Sequence, residues 1–124
     1  MKQNEKDLLL KDLCSRLPYG VKVQTTYINP QTKERKDIGM DVLSTVEISM
    51  LIEGAEEHKP YLFPLSSMTE EQKEEHKDLL DNQYTFDANG NIFTLQDFYC
   101  KYHIDYRGLI PKGLAIDCTN LNIY

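Results

Sequence analysis

Cys100 and His103 are the residues whose types and spacing come closest to a chemical site. They form a Cys-x-x-His pair, and residues three apart on a helix lie on the same face, so the two side chains could share a metal ion. A structural zinc site needs four ligands, usually as two close pairs, and the second pair is missing. The same two residues could instead form a thiol nucleophile and its base. Core packing is the favoured interpretation of both side chains.

The other glycine-rich and acidic segments do not carry a catalytic pattern. The glycines fit neither a P-loop nor a dinucleotide-binding fingerprint. The segment from Asp87 to Asn91 has the oxygen ligands that open a calcium loop, but Ile92 and Phe98 stand where that loop needs glycine and glutamate. We therefore expect no cofactor, and we favour a protein that is not an enzyme.

Length and charge narrow the class of protein. The chain has 124 residues and a net charge of −6, which suits a single domain over residues 1–124. Acidic residues concentrate between Glu70 and Asp81, and no basic cluster offsets them. Because phosphate neutralisation supplies most non-specific affinity for nucleic acids, we expect no nucleic-acid partner. No apolar run approaches the roughly 18 residues of a membrane span, so we expect no membrane partner.

The number and spacing of the cysteines indicate the cellular compartment. The chain has three cysteines, an odd number at wide spacing. Disulfide-bonded proteins belong to oxidising compartments and favour an even count of cysteines. We therefore predict a cytoplasmic protein.

An amphipathic helix is predicted near the C-terminal end of the chain. Thr94 is placed to cap it, with Asp97 as the answering residue of a capping box. The spacing of the next apolar residues gives the helix one apolar face, formed by Leu95, Phe98, Tyr99 and Tyr102. We expect the helix to end between His103 and Tyr106, and the tail from about residue 118 to be only partly ordered.

The N-terminal third predicts a helix followed by a β-hairpin. Residues 4–17 repeat apolar side chains at helical spacing, and the resulting face holds Leu9, Leu10, Leu13, Cys14 and Leu17. Residues 21–27 alternate apolar and polar side chains, as in a half-buried strand. The Asn29-Pro30 turn then returns the chain as a second strand over residues 33–41.

The middle of the chain is less regular. Residues 42–52 fit either a helix or a strand, and we favour a helix because Ser44 and Gly54 stand where its two caps belong. Residues 53–59 read as a charged loop. Pro60 and Pro64 exclude residues 59–65 from a helix interior or a central strand, so we predict an extended connector there.

Two further elements precede the C-terminal helix. An acidic surface helix is predicted over residues 70–80, with Ser67 or Thr69 as its cap. A second hairpin is predicted from the apolar residues on both sides of the Asn89-Gly90 turn. The fold class is therefore α+β: a small single domain with an N-terminal helix, antiparallel β-hairpins, an acidic surface helix and an amphipathic C-terminal helix.

Two segments, KPYLFPLSSMTEEQ (residues 59–72) and HIDYRGLIPKGLAID (residues 103–117), carry a resemblance to a known group. Together they resemble a family of short proteins found in gut-bacterial genomes, prophages and mobile elements. The resemblance covers about the C-terminal half of the chain. It implies a bacterial cytosolic setting and phage or mobile-element ancestry, and it transfers no catalytic residue.

Three functional hypotheses follow. The favoured one is an accessory protein that binds another protein, with Tyr102, Tyr106, Arg107 and Leu109 as contact residues, because tyrosine and arginine are common at interfaces. The second is the small metal- or thiol-dependent enzyme that uses Cys100 and His103. The third is an acidic inhibitor that mimics DNA through the face of the helix between Glu70 and Asp81.

Overall fold

A computed structural model describes the whole chain, Met1–Tyr124, and confirms the α+β class. Seven strands and four α-helices alternate irregularly along the sequence. The helices are α1 (Gln3–Arg16), α2 (Thr45–Glu53), α3 (Glu70–Asn82) and α4 (Leu95–Lys101). The strands are β1 (Lys22–Ile28), β2 (Arg35–Val42), β3 (Glu56–Pro64), β4 (Tyr84–Phe86), β5 (Ile92–Thr94), β6 (Ile104–Asp105) and β7 (Ile116–Asp117).

The main sheet is mixed and has β3 at its centre. Its order is β2-β1-β3-β6, and β7 also pairs with β3. The pairs β2–β1 and β1–β3 are antiparallel, whereas the two short strands β6 and β7 run parallel to β3. Strands β4 and β5 form a separate hairpin, as the Asn89-Gly90 turn predicts. The predicted hairpin between β1 and β2 is confirmed.

The prediction of an extended connector at residues 59–65, preceded by a charged loop, is wrong. Residues 59–64 belong to β3, the central strand, which begins at Glu56 and contains both prolines, and Leu65 begins a short 3-10 turn. Pro60 faces Val23 at the last antiparallel pair with β1, and pairing with β7 begins only at Tyr61. Pro64 is the last residue of the strand. Both prolines thus stand at the ends of ladders, where a missing N–H costs least.

Helix α1 packs the predicted leucine face on the main core, with Leu9 and Leu13 buried and Leu10 and Leu17 packed beside them, but that face also includes two buried polar residues. The fully buried side chains are Leu9, Asp12, Leu13 and Arg16, which follow one helical stripe. Cys14 is exposed, so its place in the predicted face is wrong. The helix ends in a short 3-10 turn at Leu17–Tyr19, and Gly20 then takes a left-handed conformation. That conformation costs glycine little.

The favoured helix for residues 42–52 is confirmed as α2. The Ser44 hydroxyl accepts a hydrogen bond from the Val46 N–H at the start of the helix. Gly54 follows the last turn with φ of 79° and donates its N–H to the Leu51 carbonyl. The two capping residues therefore override the strand-like alternation of Val46, Ile48 and Met50.

The acidic helix and the C-terminal helix are also confirmed. Thr69 caps α3 and Thr94 caps α4, each within a capping box. Helix α4 ends at Lys101, two residues before the predicted range. His103 then adopts a positive φ of 56°, an uncommon conformation for a residue other than glycine. It turns the chain into β6.

Two hydrophobic clusters support these elements. The main core lies between the sheet and helices α1 and α2, and its ten buried members are Leu9, Leu13, Val21, Val23, Leu43, Leu51, Leu62, Leu109, Leu114 and Ala115. The aromatic cluster joins α3 to α4, with Leu79, Phe98 and Ile104 at its centre. Around that centre pack Met68, Phe93, Leu95, Tyr99 and Tyr102.

The end of the chain packs against the sheet. The Tyr124 hydroxyl donates to the Tyr61 carbonyl and accepts a hydrogen bond from the Lys22 N–H. The Tyr124 ring stacks on His103 at a centroid distance of 3.7 Å. The tail, for which the sequence predicts only partial order, is therefore anchored at Tyr124.

Candidate functional site

Two of the predicted contact residues, Tyr106 and Arg107, belong to a network of charged side chains. One carboxylate oxygen of Asp12 accepts a hydrogen bond from Arg16 Nε at 2.7 Å. The other accepts a hydrogen bond from Arg107 Nε at 3.1 Å. Arg107 also donates to the Tyr106 hydroxyl, and its guanidinium lies 4.8 Å from the Tyr106 ring. Because Asp12 and Arg16 are fully buried, this network holds α1 against the segment after β6.

The four predicted contact residues do not share one surface. Tyr106 and Arg107 line a cavity of about 590 Å³ between the end of β3 and residues 105–111. Tyr102 lies instead in the aromatic cluster, where its hydroxyl donates to Glu75. Leu109 is fully buried in the main core, so it offers no surface to a partner. The assignment of Leu109 as a contact residue is wrong.

Cys100 and His103 do not share a helix face, because α4 ends before His103. Burial raises the pKa of the Cys100 thiol, which favours the protonated and less nucleophilic form. Burial and the nearby Arg16 and Lys22 lower the pKa of His103 to about 4. No group of three or more His, Cys, Asp or Glu side chains is arranged to hold a metal ion. The enzyme hypothesis for this pair thus has no geometric support.

A hydroxyl, an imidazole and a carboxylate line up inside the main sheet. Thr25 Oγ1 lies 3.0 Å from His58 Nδ1, and His58 Nε2 lies 3.3 Å from Glu56 Oε1 without forming a hydrogen bond. Burial lowers the pKa of His58, although Glu56 and Glu47 partly oppose the shift. Thr25 and His58 are cross-strand partners in β1 and β3. The contact is therefore one that strand pairing itself produces.

A larger groove separates α3 from the hairpin β4–β5. Its volume is about 650 Å³, and its lining is Glu75, Asp78, Leu79, Asn82, Tyr84, Thr85 and Phe86. Leu79 is buried in the aromatic cluster and forms the floor. Carboxylates from α3 stand on one side and aromatic rings from β4 on the other. The groove therefore combines apolar contact area with negative charge.

The aromatic wall of the groove is open to solvent. The exposed fractions are 50% for Tyr84 and 61% for Phe86, and the two rings meet edge to face at 5.8 Å. Ile92, the strand partner of Phe86, is also exposed and extends this apolar surface. Each strand of this hairpin has only three residues, so the rings lack a neighbouring sheet to cover them. Exposed aromatic groups of this kind mark interaction surfaces.

The acidic wall of the groove is held in place by the aromatic cluster. Glu75 accepts the Tyr102 hydroxyl hydrogen bond at 2.9 Å, and this contact raises the pKa of Tyr102 together with burial, which is the larger cause. Tyr102 packs edge to face on Phe98 at 5.1 Å. A half-buried ring thus fixes the position of a carboxylate in the groove lining.

Sequence reasoning missed Tyr84 and Phe86 as candidate contact residues. The signal was present, because alternate aromatic residues in a three-residue strand place both rings on one face. It missed the buried Asp12–Arg16 pair as well. That pair falls on the stripe of Leu9 and Leu13 at helical spacing, so a polar pair at core positions was readable from the sequence.

None of the four helices combines the length and the apolar composition that a membrane crossing requires. Comparison with protein-family models, with curated proteins and with solved structures gave no match.

Proposed function

We propose that this chain is a non-enzymatic accessory protein of the bacterial cytoplasm that acts by binding another protein. The groove between α3 and β4 carries the proposal. It has the largest volume of the cavities described above, and it joins exposed aromatic rings to carboxylates. Aromatic residues in clefts dominate binding energy at protein interfaces.

The charge of the groove selects the chemistry of the partner. Glu75 and Asp78 line it, while the nearest basic residues of α3, Lys73 and Lys77, do not. A segment that carries lysine or arginine beside a leucine or phenylalanine would complement both walls. The apolar side chain would lie on Leu79 and Phe86, and the basic group would reach Asp78. The partner is therefore a protein with a basic, amphipathic segment.

The DNA-mimic hypothesis receives less support than protein binding. It stays a prediction, and the acidic residues between Glu70 and Asp81 all belong to a single helix of 13 residues. Such a helix is about 20 Å long, whereas duplex DNA carries a charge every 1.7 Å or so along its whole axis. The phage or mobile-element ancestry also stays a prediction.

Peptide binding tests the proposed function. Fluorescence anisotropy would compare labelled peptides of alternating Lys and Leu with peptides of alternating Glu and Leu at two salt concentrations. We expect the basic peptide to bind and the acidic one not to bind, with weaker binding at higher salt. Equal affinity for both peptides, or no binding by either, would contradict the proposal.

Variants locate the binding to the groove. Phe86→Ser and Asp78→Asn should each lower the affinity for the basic peptide at least about threefold, since each removes a contact from one wall of the groove. Asp81→Asn is the matched control, because it makes the same charge change on the same helix outside the groove lining. If Asp81→Asn weakens binding as much as Asp78→Asn, the peptide is responding to net charge and the groove assignment fails.

A further inference from the structure

Strand β2 is an open edge of the main sheet. It stands at one end of the strand order and pairs only with β1. All eight of its residues are exposed, including Ile38, Met40 and Val42, which are each about half exposed, at 53%, 49% and 48%. An edge strand presents unpaired N–H and C=O groups, which are a template for another strand. The three apolar side chains would gain from being covered.

The pairing with β1 shows which way each residue of β2 faces. Asp41 pairs with Val23, a core residue, so it lies on the side of the sheet that carries the helices. Met40 and Val42 pair with the alternate residues of β1 and lie on the outer side. A bulge between Thr25 and Thr26 inserts Ile38 as an extra residue. The alternation is therefore shifted by one beyond Ile38.

The shift decides the faces of the remaining residues. Asp37 pairs with Thr26 and bonds to its hydroxyl at 2.8 Å, so it lies on the outer side, as does Arg35. Lys36 lies on the helix side opposite Tyr27. Lys36 and Asp41 thus face the same side although one has an even number and the other an odd one. Without the bulge they would face opposite sides.

This arrangement makes β2 complementary to itself. Two copies in antiparallel contact over their full length would place Arg35 opposite Val42, Lys36 opposite Asp41 and Asp37 opposite Met40. Each of these pairs joins residues of the same face, as continuous pairing requires. A slip by one residue would place opposite faces together. The full-length pairing also sets a lysine against an aspartate twice, once on each side of a twofold axis.

We propose that the chain forms a symmetric dimer through antiparallel pairing of β2 with β2 of a second copy. The two main sheets then become one continuous sheet, and the two Lys36–Asp41 pairs set its register. Val42 packs on the aliphatic part of the Arg35 side chain from the other copy. This surface is separate from the groove of the proposed function, so either proposal can fail alone.

Sedimentation velocity over a range of protein concentrations tests the dimer. We expect a reversible monomer–dimer equilibrium for the full chain. Lys36→Asp and Asp41→Lys should each weaken dimerisation at least about tenfold, because each creates two like-charge pairs across the axis. The double variant K36D/D41K restores opposite charges and should recover most of the affinity. Lys33→Asp, in the turn before β2, is the control and should behave as the unmodified chain.

Hydrogen exchange identifies the surface that is covered. The amides of β2 should exchange more slowly as protein concentration rises, while those of β4 should not change. A monomer at every concentration would overturn the proposal. A dimer whose β2 amides are unaffected would also overturn it, and so would a double variant as weak as either single variant. Circular dichroism of each variant checks that the fold is retained.

Discussion

The main core and the aromatic cluster are built from different side chains and face water differently. The main core holds ten buried residues, and all of them are aliphatic. The aromatic cluster buries only three, and its tyrosines direct hydroxyl groups outward to polar partners, as Tyr99 does to His76 and Tyr102 to Glu75. The first region therefore supplies most of the buried apolar area, and the second positions polar groups at the surface beside the groove.

The Asp12–Arg16 pair joins the two regions, because Arg16 also donates a hydrogen bond to the Ile104 carbonyl of the aromatic cluster at 2.7 Å, and removal of Asp12 should have one of the two largest effects. We expect Asp12→Ala to lower the free energy of unfolding by about 3–5 kcal/mol, because it leaves the buried Arg16 guanidinium without its carboxylate. Urea denaturation measures the change. Asp7→Ala, at an exposed position of the same helix, should change stability by no more than about 0.5 kcal/mol. A loss below about 1 kcal/mol for Asp12→Ala would show that the two regions are coupled by other contacts.

Matched leucine truncations separate the two cores directly. Leu62 is fully buried at the centre of the main sheet, and Leu79 is 2% exposed in the aromatic cluster. We expect the free energy of unfolding to fall by about 3–5 kcal/mol for Leu62→Ala and by about 2–3 kcal/mol for Leu79→Ala. The smaller cluster lies beside an open groove, so it can relax around the cavity that the truncation leaves. Thermal and urea unfolding check both values. The reverse order would mean that the aromatic cluster is the more tightly packed region.

The sequence predicts the secondary-structure elements better than it predicts which elements lie beside one another. Local signals located α2, α3 and α4, because Ser44, Thr69 and Thr94 each cap a helix through contacts within a few residues. The prediction for β3 fails at Pro60, because whether a strand can hold a proline there depends on where the partner strands β1 and β7 begin and end. That information is not local.

The candidate site illustrates the same limit. Tyr102 was singled out from its residue type, and its contact with Glu75 depends on how α3 packs on α4. Leu109 is predicted as a contact residue, yet Asp105 accepts hydrogen bonds from the Leu109 and Ile110 N–H groups and holds this segment against the core. The sequence indicates that Tyr84 and Phe86 share a face, but the exposure of that face depends on the lack of a covering strand, which is not a local property.

His103 lies where the tail meets the main sheet, and its titration tests how far water is excluded from that contact. Its pKa is lowered to about 4 by burial and by Arg16 and Lys22, from an ordinary value near 6.5. As the pH falls, His103 therefore binds a proton in the unfolded chain before it does so in the folded chain. The stability from the neutral imidazole is fully present above about pH 6.5 and is lost as pH falls towards 4. This loss should reach about 2 kcal/mol, with allowance for partial exposure.

His103→Asn isolates this contribution. Asparagine tolerates the positive φ at this position and does not titrate, so the variant should lose less stability than the unmodified chain between pH 6.5 and 4. Urea denaturation at several pH values measures the difference. The lowered pKa of His58 acts in the same direction in both proteins and cancels. Parallel pH profiles would show that the pKa of His103 is the same in the folded and the unfolded chain.

The smallest expected change in stability distinguishes ring packing from hydroxyl positioning in the aromatic cluster. Tyr102→Phe keeps the ring on Phe98 and removes the hydrogen bond to Glu75, so stability should fall by only about 1 kcal/mol. Binding of the basic peptide should weaken about threefold, because Glu75 loses the contact that fixes it at the groove. Tyr99→Phe is the matched control, since its hydroxyl contacts His76, which is outside the groove lining. Equal peptide affinity for both variants would mean that the cluster supports the groove through its rings alone.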